Sequence, residues 1–511
     1  MVLQPTLQNA NFNLDVSGIA GFFGGEESFA AMSSMHLMRH RRWLGWYNSP
    51  GSYYIAKKYG TLAKSRLWNG LFPGPPVAPA KMLELDSQEG PRYMGVHSGT
   101  RIDKTGHLAY LLARYCEQIN YTEGQSDTPS VRVPLPFSPP QSPTPDSESI
   151  QLSKSAIPTR TDKKKSCSVT IVDLGHFKKW VGYPNVPAAS LLPFEPLGLV
   201  VTLATVVGTV LSALWGDWFS FAMIILGAIS SGVSSYVLGS GELQLKFPDP
   251  STNSPPGDGI LVSSRHDIVV LKGSENSVSN IIRGRYHLEY ASAPKYRNIG
   301  VSSVILTMQF LLQLFLVPQG QLIGQIMFLG TFIISWIFNA YLASVDRETL
   351  QTEVLFKTLG IPPKHKFTKL YFEKWSTAAA FAAFYVHPDT LKDLLPNDTA
   401  SWAVWKDFII QAHSKCRDPT YLLQSDESQA KMKNLTPEEQ KFVHEFIEYA
   451  GEAFQDAQKI LHKDSEKISC EKNVYNPDTY QSTTFSKIRM GLLGRKRAGA
   501  ASDFQIGANN A

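Results

Sequence analysis

Four long apolar stretches constrain this 511-residue chain more than any other feature of its sequence. Residues 197–216 and 218–239 contain no Lys, Arg, Asp or Glu, and Asp217 separates them. Residues 301–317 and 322–344 repeat this plan around a short turn that contains Pro318 and Gly320. At about 1.5 Å per helical residue, each stretch reaches roughly the 30 Å of a bilayer core. The sequence therefore predicts a mainly α, polytopic membrane protein with four spans in two hairpins.

Two other structures are compatible with these stretches. Buried helices of a large soluble protein are usually shorter or carry a polar stripe, so they are disfavoured. Hairpins that enter the bilayer only partway, as wedges, are the second alternative. Both hairpins, residues 197–239 and 301–344, are long enough to cross completely, and full crossing is the prediction.

The distribution of basic residues predicts the orientation of the spans. Lys and Arg are absent from both hairpin turns and present in the three regions that flank the hairpins. By the positive-inside rule these regions and both termini face the cytosol, whether the membrane is internal or the plasma membrane. Aromatic residues near the span ends suit the membrane interface: Trp215, Trp218, Tyr236, Trp336 and Tyr341.

Composition excludes several classes of protein. The net charge of +5 is too diffuse to indicate nucleic-acid binding. The four cysteines form no C-x-x-C pair, which argues against a disulfide framework or a zinc site. The N-terminus has no basic region followed by a long apolar core, so no cleavable signal peptide is expected.

The rest of the chain divides into five segments by composition. Residues 1–121 predict a partly folded cytosolic region, and residues 122–167 a disordered linker rich in Pro, Ser and Thr. Residues 240–300 predict a cytosolic loop with a small α+β element. Residues 345–465 predict a cytosolic helical domain, and residues 466–511 a disordered basic tail.

Several local patterns predict elements inside these segments. Within the loop, strands are expected at residues 260–262, 268–271 and 285–290, and a helix at 276–282. After the spans, helices are expected at 347–359, 367–385, 390–395, 400–413 and 437–462, the last with a Thr436–Glu439 capping box. Residues 35–46 suit either a helix on an anionic membrane surface or an ordinary folded helix.

Polar residues inside the spans are few and uncharged. Gln309 and Gln313 share a face of the third span, and Gln325 and Asn339 lie in the fourth. They would form either a polar track for a solute or hydrogen bonds between helices, and the second is favoured because no ionisable residue accompanies them. In the second span, Ala228 and Gly232 have a spacing that permits close helix packing.

The linker carries four residues that directly precede a proline: Thr128, Ser138, Ser142 and Thr144. An extended cytosolic tract of this kind suits proline-directed phosphorylation, or capture by a protein module that binds polyproline II helices. A passive spacer is an equally good interpretation.

No catalytic signature occurs in the sequence, so no catalytic, cofactor-binding or metal-binding residue is expected and an enzyme is not favoured. His36 and His40 have a metal-ligand spacing without a third ligand, and His97, Asp103 and His107 are better explained as solvated or capping residues.

Three functional classes remain. The favoured one is a non-enzymatic scaffold or regulator, which binds cytosolic proteins through the linker and is anchored in the lipid bilayer. A small-solute transporter or channel subunit, in a homo-oligomer, is the second. The third rests on layout: two long hairpins, a cytosolic loop and cytosolic termini resemble the arrangement of reticulon-like proteins, which implies a membrane-shaping role.

Overall fold

A computed structural model describes residues 23–38, 40–63, 65–75, 77–119, 167–175, 183–189, 194–263, 267–290, 293–360 and 367–474. The protein is mainly helical, and the chain divides into two compact units, Met1–Asp398 and Thr399–Ala511. The predicted phosphorylation sites Thr128, Ser138, Ser142 and Thr144 lie outside the described residues, as does most of the linker.

The first unit contains thirteen described helices and eight described strands. The helices are α1 Gly25–Ser33, α2 Ser52–Gly60, α3 Arg66–Leu71, α4 Pro79–Met82, α5 His107–Gln118, α6 Phe194–Leu214, α7 Trp218–Leu238, α8 Glu275–Arg283, α9 Ala293–Leu316, α10 Leu322–Ala343, α11 Arg347–Leu359, α12 Trp375–Tyr385 and α13 Leu391–Leu394. The strands are β1 Arg92–Gly95, β2 Arg101–Ile102, β3 Cys167–Asp173, β4 Glu242–Lys246, β5 Gly259–Val262, β6 Asp267–Lys272, β7 Arg285–Glu289 and β8 Thr368–Phe372. Short 3-10 helices cover Ser34–His36, Arg41–Trp43, Val317–Gln319 and Pro388–Thr390.

Helices α6, α7, α9 and α10 pack together as one bundle, and all four are long and apolar enough to cross a membrane. Large apolar side chains remain exposed along the outer faces of this bundle, as contact with lipid would require. These helices agree with the four predicted spans. One difference is that α9 begins at Ala293 rather than at residue 301, because the helix continues through Lys295 and Arg297, which carry no apolar signal.

The two hairpin turns meet at one end of the bundle. Asp217 caps α7 by accepting hydrogen bonds from the backbone N–H groups of Phe219 and Ser220, each at 3.1 Å. Its carboxylate lies so close to Gly320 and Gly324 that a side chain at Gly324 would overlap it. The buried Asp217 therefore joins the two turns, and the hairpins form a single bundle.

Strands from three parts of the chain form one six-stranded sheet, in the order β2-β1-β5-β6-β3-β8. Strands β1, β2 and β3 precede the first hairpin, β5 and β6 lie between the hairpins, and β8 follows the second. Strands β3 and β6 pair in parallel and the other neighbours are antiparallel. The sheet can form only if all three parts of the chain lie at the same end of the bundle.

A two-stranded ladder connects this region to the bundle. Strand β4 follows α7 almost directly, β7 immediately precedes α9, and the two strands pair antiparallel. The Tyr290 hydroxyl, just after β7, donates a hydrogen bond of 3.2 Å to the Leu238 carbonyl at the end of α7. The loop between the hairpins is thus fixed to both helices that enter it. We call the end of the bundle at which this loop and the six-stranded sheet lie the sheet end.

Helices cover the six-stranded sheet and complete its core. Helix α5 packs against α8 and α11, and α12 packs against β3 and β8. Lys369 of β8 is buried and donates to the carbonyls of Cys116 and Glu117, at 2.7 and 3.0 Å, which satisfies the last turn of α5. Burial lowers the pKa of this lysine.

One predicted helix is wrong in its first half. The sequence predicts a helix over residues 367–385, but residues Thr368–Phe372 form strand β8, and helix α12 begins only at Trp375. The pairing of β8 with β3 outweighs the helical preference of this stretch, because the two strands exchange backbone hydrogen bonds from Cys167 opposite Phe372 to Ile171 opposite Thr368.

The second unit is helical in its described part. Its helices are α14 Ala400–Lys415, α15 Pro419–Leu422, α16 Asp426–Met432 and α17 Pro437–Val474. Helix α14 packs on α17, where the Trp402 ring lies 5.3 Å from those of Phe442 and Phe446. The predicted capping box is present, since the Thr436 N–H donates to Glu439 Oε2 at 3.0 Å and the Glu439 N–H donates to Thr436 Oγ1.

Candidate functional site

A non-helical stretch, residues 44–51, enters the bundle between the end of the 3-10 helix Arg41–Trp43 and the start of α2. We call it the inserted segment. Its contacts with α7 move steadily away from the sheet end: Gly45 lies against Ser235, Trp46 against Gly232, and Asn48 against Gly227. Gly227 lies near the middle of α7, so the segment reaches about half the depth of the bundle.

Two hydrogen bonds connect Asn48, at the tip of the inserted segment, to neighbouring helices, while its Oδ1 atom has no partner among the described residues. The Asn48 Nδ2 group donates to Thr331 of α10 at 3.0 Å, and the Asn48 backbone N–H donates to Thr205 of α6 at 3.4 Å. Non-helical backbone at this depth of a membrane protein is stable only where protein or water satisfies its polar groups. Asn48 therefore connects the tip of the segment to helices α6 and α10.

Asn339, one of the predicted polar residues, bonds to the N-terminal part of the chain. Its Oδ1 atom accepts a hydrogen bond of 2.7 Å from the Tyr47 hydroxyl, and its Nδ2 group donates to Ser28 at 2.9 Å and to Ser49 at 3.2 Å. All four side chains are buried. Asn339 thus holds α1 and the inserted segment on α10.

The other predicted polar residues do not converge with Asn339. Gln325 donates to backbone carbonyls of the hairpin turn that precedes α10, those of Val317 at 3.3 Å and Gly320 at 3.1 Å. It lies fourteen positions before Asn339 on the same helix, which separates them by roughly 21 Å. Gly232 contacts Trp46, and Ala228 lies one turn before it, half-buried.

Gln309 and Gln313 differ from these residues. Both side chains are buried on one face of α9, with 1% and 0% of their surface exposed. Among the residues that the structure describes, neither the oxygen nor the nitrogen of either amide has a hydrogen-bond partner. A buried amide without a partner costs about 1–3 kcal/mol, so these groups are suited to bind water or another polar molecule.

A charged cleft of about 1230 Å³ lies beside α5 and the start of α11. Its described lining contains six carboxylates and four basic groups. Each basic group already has a carboxylate partner: Arg92 pairs with Asp393, Lys104 with Glu89, Arg114 with Asp346 and Glu348, and Arg347 with Glu84. The cleft is therefore held by ion pairs between distant parts of the chain.

The histidines and aspartate considered as a catalytic cluster have separate roles. His97 faces Asp258 at 3.5 Å, and Asp103 lies 3.8 Å from Arg92. His107 is buried: its Nδ1 atom accepts from the Gln88 N–H at 3.3 Å, and its Nε2 atom lies 3.1 Å from Gln351 Oε1. The first contact fixes the proton on Nε2, which donates to Gln351, and burial lowers the pKa of the ring.

This arrangement predicts how stability changes with pH. The folded state resists protonation of His107, so the unfolded chain takes up this proton at a higher pH, and stability falls as the pH drops below about 6.5. Between about pH 7.5 and pH 5.5, the wild-type protein should lose more thermal stability than a His107→Gln variant. The comparison between variants is needed because Asp86, whose burial raises its pKa to about 6, acts in the opposite sense. An equal drop in melting temperature between these two pH values in both proteins would contradict this role of His107.

No protein family, curated protein or solved structure significantly matches this chain. The site is therefore interpreted from its own geometry. In the described part of the chain, no three His, Cys, Asp or Glu side chains form a group that could hold a metal ion.

Sequence reasoning missed the inserted segment. Residues 44–51 include Gly45, Asn48, Pro50 and Gly51, and a stretch with this composition reads as an ordinary surface loop. The available signal was the combination of small and turn-forming residues with Trp46 and Tyr47, which can fill space among helices. Over residues 35–46 the structure has two short 3-10 helices, Ser34–His36 and Arg41–Trp43, instead of the single predicted helix.

Proposed function

We propose that this chain is a non-enzymatic membrane scaffold, which holds one folded domain against the cytosolic face of a bilayer and presents its linker to soluble proteins. The observation that carries the proposal is the six-stranded sheet, because its strands come from before, between and after the two hairpins. In this proposal the four helices cross the membrane completely, and the sheet end of the bundle faces the cytosol, in accord with the basic residues of the flanking regions.

The shared sheet favours a static membrane anchor over an alternating-access transporter. Alternating-access transporters rock one helical repeat against the other. Here the sheet joins the segments at the sheet end of both hairpins, Asp217 joins their turns, and Asn48 bonds to α6 and α10. Rocking the two hairpins apart would break these contacts together.

Two further observations support a non-enzymatic role. The basic groups of the charged cleft are engaged in ion pairs. The buried His107 accepts one hydrogen bond and donates another within the fold, so its imidazole is fully used in holding α5 to α11. The close packing of the two hairpins in one bundle also argues against a reticulon-like role, because such a role would require two separate membrane wedges.

A channel or transporter subunit is the second candidate, and one observation favours it. The amides of Gln309 and Gln313 are buried without hydrogen-bond partners in the described structure, as would be expected of groups that meet a polar solute or water. No charged residue accompanies them in α9 after Arg297, which argues against an ion pathway.

The test compares partner binding with solute flux. Residues 122–160 are replaced by a Gly/Ser sequence of equal length, and soluble proteins near the full-length chain are identified in cells by proximity labelling. We expect the replacement to remove most labelled partners while leaving the melting temperature unchanged. A variant with Thr128, Ser138, Ser142 and Thr144 changed to Ala separates phosphorylation from binding to the proline-rich sequence.

A channel would give the opposite result in both measurements. In proteoliposomes, flux of a small polar solute that Gln313→Leu abolishes, together with unchanged partner labelling after linker replacement, would overturn the scaffold proposal in favour of the channel. Thr307→Val, on the same helix, is the control for flux because, among the described residues, the Thr307 hydroxyl bonds only to the Ser303 carbonyl of its own helix.

A further inference from the structure

A cavity of about 350 Å³ lies at the sheet end of α7. Its lining includes Met35, His36, Arg42, Asn185, Gly239 and Glu242. Its volume falls in the range of sites for small molecules. The walls come from the 3-10 helices before the inserted segment, the end of α7 and the start of β4, so the cavity belongs to the junction between the bundle and the sheet region.

Exposed aromatic side chains beside this cavity mark the level of a membrane interface. Trp43, Trp46 and Tyr236 are 50%, 40% and 45% exposed. The Trp43 ring lies 5.1 Å from that of Tyr236, and Trp46 contacts Gly232 one turn further along the same face of α7. Trp and Tyr prefer the boundary between the hydrocarbon core and the headgroups. A bilayer around α7 would therefore place its headgroups at the level of the cavity.

Arg42 supplies a positive charge at this level. Its side chain is exposed, and its guanidinium lies 5.4 Å from the centre of the Trp43 ring. In the described part of the chain it has no carboxylate partner, unlike the basic groups of the charged cleft. A guanidinium can bind a phosphate through two hydrogen bonds.

His36 and Glu242 supply acceptors in the same cavity. One ring nitrogen of His36 bonds to the Gly241 backbone, while Nε2 is shielded from solvent and has no hydrogen-bond partner among the described residues. Burial lowers the pKa of this histidine to about 4, so the ring is neutral. Because the Gly241 N–H already donates to the Leu238 carbonyl, the bonded ring nitrogen donates its N–H to the Gly241 carbonyl, which leaves Nε2 as the acceptor. Glu242 is an exposed carboxylate of β4.

We propose that this cavity binds the headgroup of an aminophospholipid. Arg42 donates to the phosphate, and His36 Nε2 and Glu242 accept hydrogen bonds from the ammonium group. Trp43, Trp46 and Tyr236 contact the upper parts of the acyl chains. Ethanolamine and serine headgroups carry both required groups, whereas choline has no N–H donor and glycerol carries no ammonium. The site does not depend on the scaffold role.

The full-length protein is examined by native mass spectrometry after release from nanodiscs that contain equal amounts of choline, glycerol, ethanolamine and serine phospholipids. We expect about tenfold greater retention of the ethanolamine and serine lipids. Arg42→Gln should reduce retention of every phospholipid about tenfold, and His36→Phe should remove the preference over choline. Lys433→Gln, which removes the same charge from an exposed position of the second unit, is the control.

Each contrary outcome overturns the proposal. Equal retention of choline and ethanolamine lipids would exclude the ammonium contacts, and unchanged retention in Arg42→Gln would exclude the phosphate contact. Soluble phosphoethanolamine that binds as tightly as the lipid would show that the ligand is a soluble phosphate ester and not a membrane lipid. Because Arg42 is exposed, its substitution leaves the fold intact, and a melting curve equal to that of Lys433→Gln verifies this.

Discussion

Replacing Gly51 with alanine should lower the free energy of unfolding by about 3 kcal/mol or more. Gly51 has a φ of 74°, which disfavours a side chain. A Cβ atom at this position would also overlap the Cα atom of Gly25 and would lie 2.7 Å from the Gly25 backbone nitrogen. Since backbone atoms cannot turn aside, α1 and α2 would have to separate. Reversible unfolding of the full-length protein in detergent micelles measures the loss.

Gly99 provides a matched control for this experiment. Its φ of 64° is similar, but no described atom beyond its chain neighbours lies within 4 Å of the position that a Cβ would take. Gly99→Ala should therefore cost only the backbone strain, about 1 kcal/mol. Equal losses in the two variants would contradict the close approach of α1 to the start of α2, and with it the placement of the inserted segment.

Replacing Gly227 with alanine should cost about 2 kcal/mol. The new methyl group would overlap the Asn48 side chain, whose hydrogen bond to Thr331 would then be lost in an apolar surrounding. Because the Asn48 side chain is buried, the cost approaches that of an unsatisfied buried amide. The melting temperature of the protein in nanodiscs should fall accordingly.

The control lies on a neighbouring helix of the same bundle. Gly330 of α10 has open space where its Cβ would be, as judged from the described residues. Gly330→Ala should be neutral or should stabilise the protein by up to about 1 kcal/mol, because alanine favours the helix. If Gly227→Ala behaved in the same way, Asn48 would not lie in the middle of the bundle.

Local sequence was sufficient to locate the four long apolar helices, because length and the absence of charge are properties of each stretch alone. The strands of the middle loop were also predicted closely, with β5 at Gly259–Val262 and β6 at Asp267–Lys272. These two strands pair with each other, but their outer partners β1 and β3 were not predictable, since the residues opposite them, such as Tyr93 opposite Leu261, lie far away in the chain. A single sequence carries the preference of a strand but no record of what it pairs with.

The polar residues of the spans illustrate the same limit. Asn339 and Gln309 are both amides in apolar helices, and nothing in their local sequence distinguishes them. Asn339 has three partners from residues 28–49, while Gln309 has none among the described residues. The difference arises from the inserted segment, which reaches α10 and whose position depends on contacts more than 150 residues apart in sequence, such as Asn48 with Thr205.

Because the strands of the sheet are far apart in the chain, the order of synthesis determines when they can pair. When the ribosome has completed the first hairpin, β3 has no neighbour, because β6 and β8 are not yet translated. The edge of β3 that faces β6 can pair once residue 272 has emerged, whereas the edge that faces β8 stays open until both helices of the second hairpin have been made and residue 372 has emerged. A nascent chain that stalls between the hairpins therefore displays an open strand edge to the cell's chaperones and proteases. The sheet can therefore be completed only after both hairpins have been synthesised.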